Sequence, residues 1–197
     1  NYKMFNGIIY NHGFVKSIRK FDKESLIEIN SNLKFVKKDL GSSVSCDGVC
    51  LTLTKIKAKS LFFYLSSETI KKSTFQFLKI GKKLNLEKSL FYGQRISGHY
   101  VQGHVDTIGV INDITILGNV WKIRISINSK YKKYLIEKAS ISINGVSLTI
   151  SKVILNKFEV VIIPHTLKLT NLIKLKKRDY VNIELDIFSK YLIEIKK

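Results

Sequence analysis

Short apolar runs separated by turn residues set the pattern of this chain. Residues 14–18, 25–30, 51–56 and 61–65 are rich in β-branched and aromatic side chains, which predicts strands. Asp47-Gly48 and Asn144-Gly145 each predict a two-residue hairpin, because both turn positions need φ > 0 and these residues tolerate it. Short helices are predicted over 69–75 and 166–172, each starting at a Thr cap. The tail, 186–197, predicts a further helix. Asp186 can cap it, Ile187, Tyr191 and Ile195 fall on one stripe, and lysines sit at its C-terminal end. Several short strands with turns between them predict a closed barrel.

The pattern is written twice. Asp47-Gly-Val-Cys-Leu-Thr-Leu53 returns as Asn144-Gly-Val-Ser-Leu-Thr-Ile150, an offset of 97 residues. Leu65-Ser-Ser-Glu-Thr-Ile70 matches Ile162-Ile-Pro-His-Thr-Leu167, and Leu84-Asn-Leu-Glu87 matches Val181-Asn-Ile-Glu184, again at 97. Gly7 and Gly13 pair with Gly103 and Gly109 at 96, so one residue was gained or lost in between. A period of this length is the size of a small domain and too long for a solenoid repeat. The chain therefore divides into an N-terminal barrel (1–97), a C-terminal barrel (98–186) and a terminal helix (187–197). The join falls near Gly93, Ser97 and Gly98.

Composition supports packed cores, with 45% hydrophobic residues among 197. The net charge of +19 would suit nucleic acid, an anionic membrane or an acidic substrate. The lysines are scattered, however, and no aromatic-interleaved basic motif accompanies them, so a solvated surface is the simpler reading; neither nucleic acid nor a membrane is expected as a partner. Two cysteines make no disulfide framework and suggest a reducing compartment. With no signal-peptide pattern and no apolar run near membrane length, the expected location is cytoplasmic. Asn1-Tyr-Lys3 precedes a Met and reads as an upstream extension.

Candidate chemistry gathers after the hairpin turns, whose tips would lie at a barrel rim that ligands can reach. Cys50 and Ser147 occupy equivalent positions, and Thr52 and Thr149 share their strand faces. A thiol or hydroxyl beside a hydroxyl suits a polar heterocycle; small residues packing inward would give the same pattern. His104 and Asp106 would share a face if their segment is a strand. His104 can be a general base near neutral pH or a structural histidine. The spacing of these groups fits no zinc site, and no phosphate loop, dinucleotide fingerprint or nucleophile elbow is present.

These blocks resemble the riboflavin synthase family, the trimeric α-type with two lumazine-binding repeats. Met4-Phe-Asn-Gly-Ile8, Val49-Cys-Leu-Thr52, Ser67-Glu-Thr69, Gly98-His-Tyr-Val-Gln-Gly-His-Val-Asp106, Ile143-Asn-Gly-Val-Ser-Leu-Thr149, Ile163-Pro-His-Thr-Leu167 and Val181-Asn-Ile-Glu-Leu-Asp186 follow the family's order. The resemblance implies an all-β fold of two tandem six-stranded Greek-key barrels with short helices and a C-terminal oligomerisation helix. It implies the last step of riboflavin biosynthesis. Two molecules of 6,7-dimethyl-8-ribityllumazine dismutate by transfer of a four-carbon unit, giving riboflavin and 5-amino-6-ribitylaminouracil. No metal or organic cofactor is implied. The implied partners are two lumazines per site, two further copies in a homotrimer, and lumazine synthase. The productive site would lie between the N-terminal barrel of one subunit and the C-terminal barrel of its neighbour.

Carried over by position, one pocket would use Gly7, Ile8 and Ile9, then Cys50, Leu51 and Thr52, then Tyr64, Leu65, Ser66, Ser67, Glu68 and Thr69. The other would use Gly103, His104 and Val105, then Lys138, then Ser147, Leu148 and Thr149, then Val161, Ile162, Ile163, Pro164, His165 and Thr166. Pro164 holds the residue before it out of the helical region, leaving that backbone open to a pyrimidine edge. The implied catalytic residues are His104, Ser147 and Cys50, with Asp186 as a fourth that also suits a helix cap. Asn6 stands where the family motif has Thr, and Ser97 replaces the first of two glycines. A non-catalytic lumazine- or flavin-binding protein of the same fold is the alternative reading, and a basic nucleic-acid-binding barrel is a third.

Overall fold

The computed structural model describes residues 4–195. Residues 1–3, where the sequence suggests an upstream extension, and residues 196–197, the last two lysines of the tail, lie outside the described residues. Among the described residues, twelve strands form two closed antiparallel barrels. The first contains β1 (Asn11–Phe21), β2 (Glu24–Ser31), β3 (Ser43–Cys46), β4 (Val49–Lys57), β5 (Ser60–Leu65) and β6 (Lys83–Lys88). The second contains β7 (Thr107–Leu117), β8 (Val120–Ser126), β9 (Ser140–Ile143), β10 (Val146–Ile154), β11 (Lys157–Ile162) and β12 (Tyr180–Leu185). Around the first barrel the order is β1-β2-β5-β4-β3-β6, and the second repeats it as β7-β8-β11-β10-β9-β12. Both are Greek keys, as the family resemblance implies.

The duplication extends to the irregularities. β1 is bulged between Val15 and Ser17, and β7 between Ile111 and Asp113. β4 is bulged between Leu53 and Lys55, and β10 between Ile150 and Lys152. A bulge sharpens local bend and twist, which a barrel this small needs in order to close. Inward residues fill each barrel: Val15, Ile27, Leu53 and Phe63 in the first, Ile111, Ile125, Ile150 and Phe158 in the second. The barrels are packed cores, not ligand channels.

Two local expectations change. The helices begin earlier than predicted, α1 at Ser67–Lys72 and α2 at Pro164–Leu169. Ser66, not Thr69, caps α1: its Oγ accepts from the Thr69 N–H at 3.2 Å. Thr166 lies inside α2, where Pro164 at the first turn supplies a preset φ and Ile163 is the uncapped flanking residue. The predicted helices ran on to Phe75 and Leu172, but each breaks at Ser73 or Thr170, whose hydroxyl caps a following 3-10 turn. The tail forms α3 (Ile187–Ile195). Asp186 flanks it as expected, its carboxylate accepting from the Phe188 N–H at 2.7 Å.

Candidate functional site

The two hairpin turns adopt the predicted conformation, with φ of +47° and +78° at Asp47-Gly48 and +48° and +78° at Asn144-Gly145. Their tips, however, are not at a solvent-facing rim. Asp47 and Asn144 are buried, and the turns meet tip to tip between the barrels. A Cβ at Gly48 would stand 2.7 Å from the Gly145 nitrogen, so no side chain fits there.

A duplicated asparagine network surrounds this contact. The Asn85 N–H donates to Asp47 Oδ1 at 2.7 Å, and the Asn182 N–H to Asn144 Oδ1 at 2.8 Å. Each amide group then crosses to the other half. Asn85 Nδ2 donates to the Asn144 carbonyl at 3.0 Å, and Asn182 Nδ2 to the Asp47 carbonyl at 2.8 Å. Asn85 Oδ1 accepts from the Asn171 N–H and Asn182 Oδ1 from the Thr74 N–H, both at 2.7 Å. Buried polar groups are tolerable here because each is paired.

The chain segments before each barrel also cross. Phe5 and Val101 form an antiparallel bridge, so the two segments run past each other. Beyond it, Gly7 meets the C-terminal barrel, where its carbonyl accepts from the Ser147 N–H at 2.8 Å. Gly103 meets the N-terminal barrel, its carbonyl accepting from the Cys50 N–H at 2.8 Å. Ile9 packs in the C-terminal core and Val105 against the N-terminal one. This corrects the grouping expected from sequence position. Gly7 and Ile9 meet the barrel of Ser147, and Gly103 and Val105 the barrel of Cys50; Ile8 and His104 are carried between them in the chain.

Each crossing segment is held by a buried glutamate. Glu87 on β6 accepts from the N–H groups of Asn6 (2.7 Å) and Gly7 (3.0 Å). Glu184 on β12 accepts from Gln102 (2.7 Å), Gly103 (2.9 Å) and His104 (3.1 Å). Burial pushes both carboxyls up to about 7, against the pull of those N–H groups. These glutamates were not among the predicted site residues, although the repeat of Leu84-Asn-Leu-Glu87 as Val181-Asn-Ile-Glu184 carried the signal.

On β4, Val49, Leu51 and Leu53 face inward, so Cys50 and Thr52 lie on the outer face of the first barrel. Antiparallel pairing of Leu53 with Phe63 continues towards Tyr64, which is exposed on the same face. Leu65 is buried in the core, and Ser66, Ser67, Glu68 and Thr69 turn the chain into α1. The second barrel repeats this. Ser147 and Thr149 lie on the outer face of β10, Val161 is exposed on β11, and Ile162 is buried. Leu148 packs against the core. Ile163 is extended (φ −77°, ψ 157°), as a residue before proline should be, and leads into Pro164, His165 and Thr166 of α2. Lys138 is exposed in the loop before β9, in the left-handed region at φ +69°. The sites are therefore open faces. Nearby cavities of about 410 Å³ beside Ile8 and about 250 Å³ beside Leu65 and Ser67 reach neither Cys50 nor Ser147.

His104 is exposed and lies outside any strand, since β7 starts at Thr107, so it does not share a strand face with Asp106. The Asp106 carboxylate turns away instead, accepting from the Leu185 N–H at 2.8 Å and pairing with Lys190 at 3.0 Å. The histidine beside Ser147 is His99: its Nδ1 lies 2.7 Å from Ser147 Oγ. His99 is buried, which lowers its pKa below 6.5, while the Asp186 charge pulls the other way. A neutral imidazole there can take or relay a proton through the hydroxyl. Sequence reading missed the pair because 48 positions separate its members. Asn6, in the place of the family's Thr, is buried: its Oδ1 accepts from Ser97 (2.8 Å) and its Nδ2 donates to the Arg95 carbonyl (3.1 Å). The amide thus fixes the loop that delivers His99, and Ser97 needs no positive φ.

Known proteins share this two-barrel architecture. The Lumazine binding domain family matches residues 6–89 and 102–186. Riboflavin synthase of Photobacterium leiognathi is 37% identical over 98% of this chain and 89% of its own. That of Actinobacillus pleuropneumoniae is 38% identical over 96% and 88%, and that of Bacillus subtilis 32% over 96% and 88%. Among solved structures, LumP in complex with 6,7-dimethyl-8-(1'-D-ribityl) lumazine superimposes with a TM-score of 0.80 at 26% identity, covering 92% of this chain and 99% of LumP. LumP with riboflavin gives 0.82 at 27% over the same shares.

Proposed function

The chain belongs to the riboflavin synthase family, with a lumazine-binding domain in each half, and from that premise we propose how its two faces divide the reaction. It catalyses the dismutation of two 6,7-dimethyl-8-ribityllumazine molecules to riboflavin and 5-amino-6-ribitylaminouracil. One lumazine occupies the face of Cys50, Thr52, Tyr64 and Ser66–Thr69, walled by His104 and Val105. The other occupies the face of Ser147, Thr149, Val161 and Ile163–Thr166, walled by Gly7 and Ile8. Lys138 and His165 lie at the edge of the second. The three units of the chain, 1–97, 98–186 and 187–197, serve as two binding modules and an oligomerisation helix.

The observation that carries this reading is the paired set of outward polar residues, kept in both halves and each completed by a segment from the other half. Holding two identical molecules in fixed relative orientation lowers the barrier by removing translational and rotational freedom beforehand. The chemistry needs a proton removed from a ring methyl group and the resulting anion stabilised. His99 with Ser147, supported by the nearby Asp186, is the acid–base pair; Cys50 and His104 serve the facing ring. The reaction pairs faces from neighbouring chains, one contributing its Cys50 face and the other its Ser147 face. The exposed Phe188, Tyr191, Leu192 and Ile195 of α3 supply an apolar surface for a homotrimer. No helix among the described residues is long and apolar enough to cross a membrane. Association with lumazine synthase would bring the lumazine-forming step close by.

Incubation of purified protein with the lumazine, followed by the rise of riboflavin fluorescence, tests the activity; no flavin after many enzyme equivalents would overturn it. Sedimentation equilibrium tests the trimer. The non-catalytic alternative predicts tight binding without turnover. It has structural likeness to LumP in its favour, but the synthases named above share 32–38% identity against 26–27% for LumP.

A further inference from the structure

We propose that Glu87 and Glu184 are crossed positioning residues: each is rooted in the last strand of one barrel and sets the wall of the ligand face on the other. The proposal rests on the assignment of the two faces as lumazine sites.

Glu184 belongs to β12 and packs within the C-terminal barrel, where it is only 3% exposed. Its oxygens take three successive N–H groups, from Gln102, Gly103 and His104. A carboxylate accepting consecutive backbone N–H groups fixes both the height and the direction of a segment that belongs to no strand. That segment is pressed on the first barrel without slack. The Gly103 carbonyl takes the Cys50 N–H at 2.8 Å, and a Cβ at Gly103 would fall 2.7 Å from the Cys50 Cβ. Any shift of the glutamate therefore moves His104 and Val105 relative to Cys50 and Thr52. Glu87 repeats the device in reverse, holding Asn6 and Gly7 while a Cβ at Gly7 would fall 2.7 Å from the Ser147 Cβ. Glu87 takes two N–H groups and Glu184 three, so Glu184 constrains its segment more.

Neither glutamate lies on the open faces, so neither is a catalytic residue. What each controls is preorganisation of a site on the far side of the barrel interface. The arrangement also ties each face to the other half of the chain, so an isolated barrel would lack one wall.

The test uses the full-length protein and a lumazine analogue carrying a ring trifluoromethyl group, observed by fluorine NMR. Two bound resonances are expected, assigned by blocking one face with Thr52→Arg and the other with Thr149→Arg. Glu184→Gln keeps the size but sets an NH2 against the N–H donors. It should weaken the analogue at the Cys50 face about tenfold or more while the Ser147 face, on its own barrel, stays within about twofold. Glu87→Gln should do the reverse, with a smaller loss. Steady-state turnover should show the loss in KM more than in kcat. If Glu184→Gln does not fold, Glu184→Asp, which keeps the charge but draws it back by one methylene, should give the same pattern. A loss confined to the Ser147 face, an equal loss at both, or no loss at either would overturn the proposal. Absence of any bound resonance in the unsubstituted protein would instead overturn the site assignment on which it stands.

Discussion

The two barrels share strand order, bulge positions, turn conformation and glutamate clamps, yet they present different chemistry on equivalent faces. Cys50 answers to Ser147, Ile8 to His104, Tyr64 to Val161 and Asp47 to Asn144. The shared features are backbone hydrogen bonds and inward apolar residues, which any member of the duplicated fold must keep to close. The differences fall on outward residues, on the crossing segments and on the buried hairpin tips, where barrel closure makes no demand. The Ser147 face also receives His99, whose position by the offset of 96 would be Lys3 in the first half, outside the described residues. Among the described residues, only the Ser147 face has a buried imidazole 2.7 Å from a hydroxyl. Unequal roles for two copies of one site follow from that asymmetry.

The comparison breaks most sharply at this pair. Ser147→Ala and His99→Ala should each lower turnover about 100-fold or more, in the range of lost acid–base catalysis, with lumazine affinity changed far less. Cys50→Ser should cost under about tenfold in the same fluorescence assay. Equal losses at Cys50 and Ser147 would show the two faces to be chemically equivalent. His104→Ala should lower turnover more than binding, a split that titration calorimetry beside kinetics would show.

Next come the asparagines that lock the halves together. Asn182→Ala strands the Thr74 N–H and the Asp47 carbonyl in a buried interface. It should cost about 3 kcal/mol in urea unfolding, and Asn85→Ala a similar amount. A large difference between them would mean that the network is less symmetric in energy than in geometry.

Asp47 marks a smaller difference. Burial pushes its carboxyl up to about 7, from an ordinary 3.8. The folded chain therefore keeps a proton between those values that the unfolded chain releases, and stability falls as pH rises through that window. Asp47→Asn, which copies Asn144, should remove this part of the decline and leave the variant on the order of 2 kcal/mol more stable than the parent at pH 8, with little difference near pH 4. Urea midpoints across pH measure it; Glu87 and Glu184, raised by burial in the same direction, contribute equally to both proteins. The smallest effect is expected on an outer face. Arg124 pairs with Glu159 at 2.6 Å in the second barrel, where the first has Glu28 opposite Phe62. Arg124 is partly exposed, so Arg124→Met should cost about 1 kcal/mol in thermal unfolding.

The sequence by itself determined the duplication, the barrel class, both hairpin turns and the positions of Cys50, Ser147 and their neighbouring threonines. Those are local or periodic properties, written in short-range spacing and repeated at 96 and 97. Only the tertiary structure decided which segment completes which face. Gly7 lies on Ser147 and Gly103 on Cys50 because the Phe5–Val101 bridge makes the two segments cross, and no local pattern encodes a crossing. The same holds for the buried hairpin tips, whose Asp-Gly and Asn-Gly signature specifies φ but not surroundings. It holds too for His99 with Ser147. Their pairing depends on Asn6 holding the loop from the far side of the chain, through hydrogen bonds spanning about ninety residues.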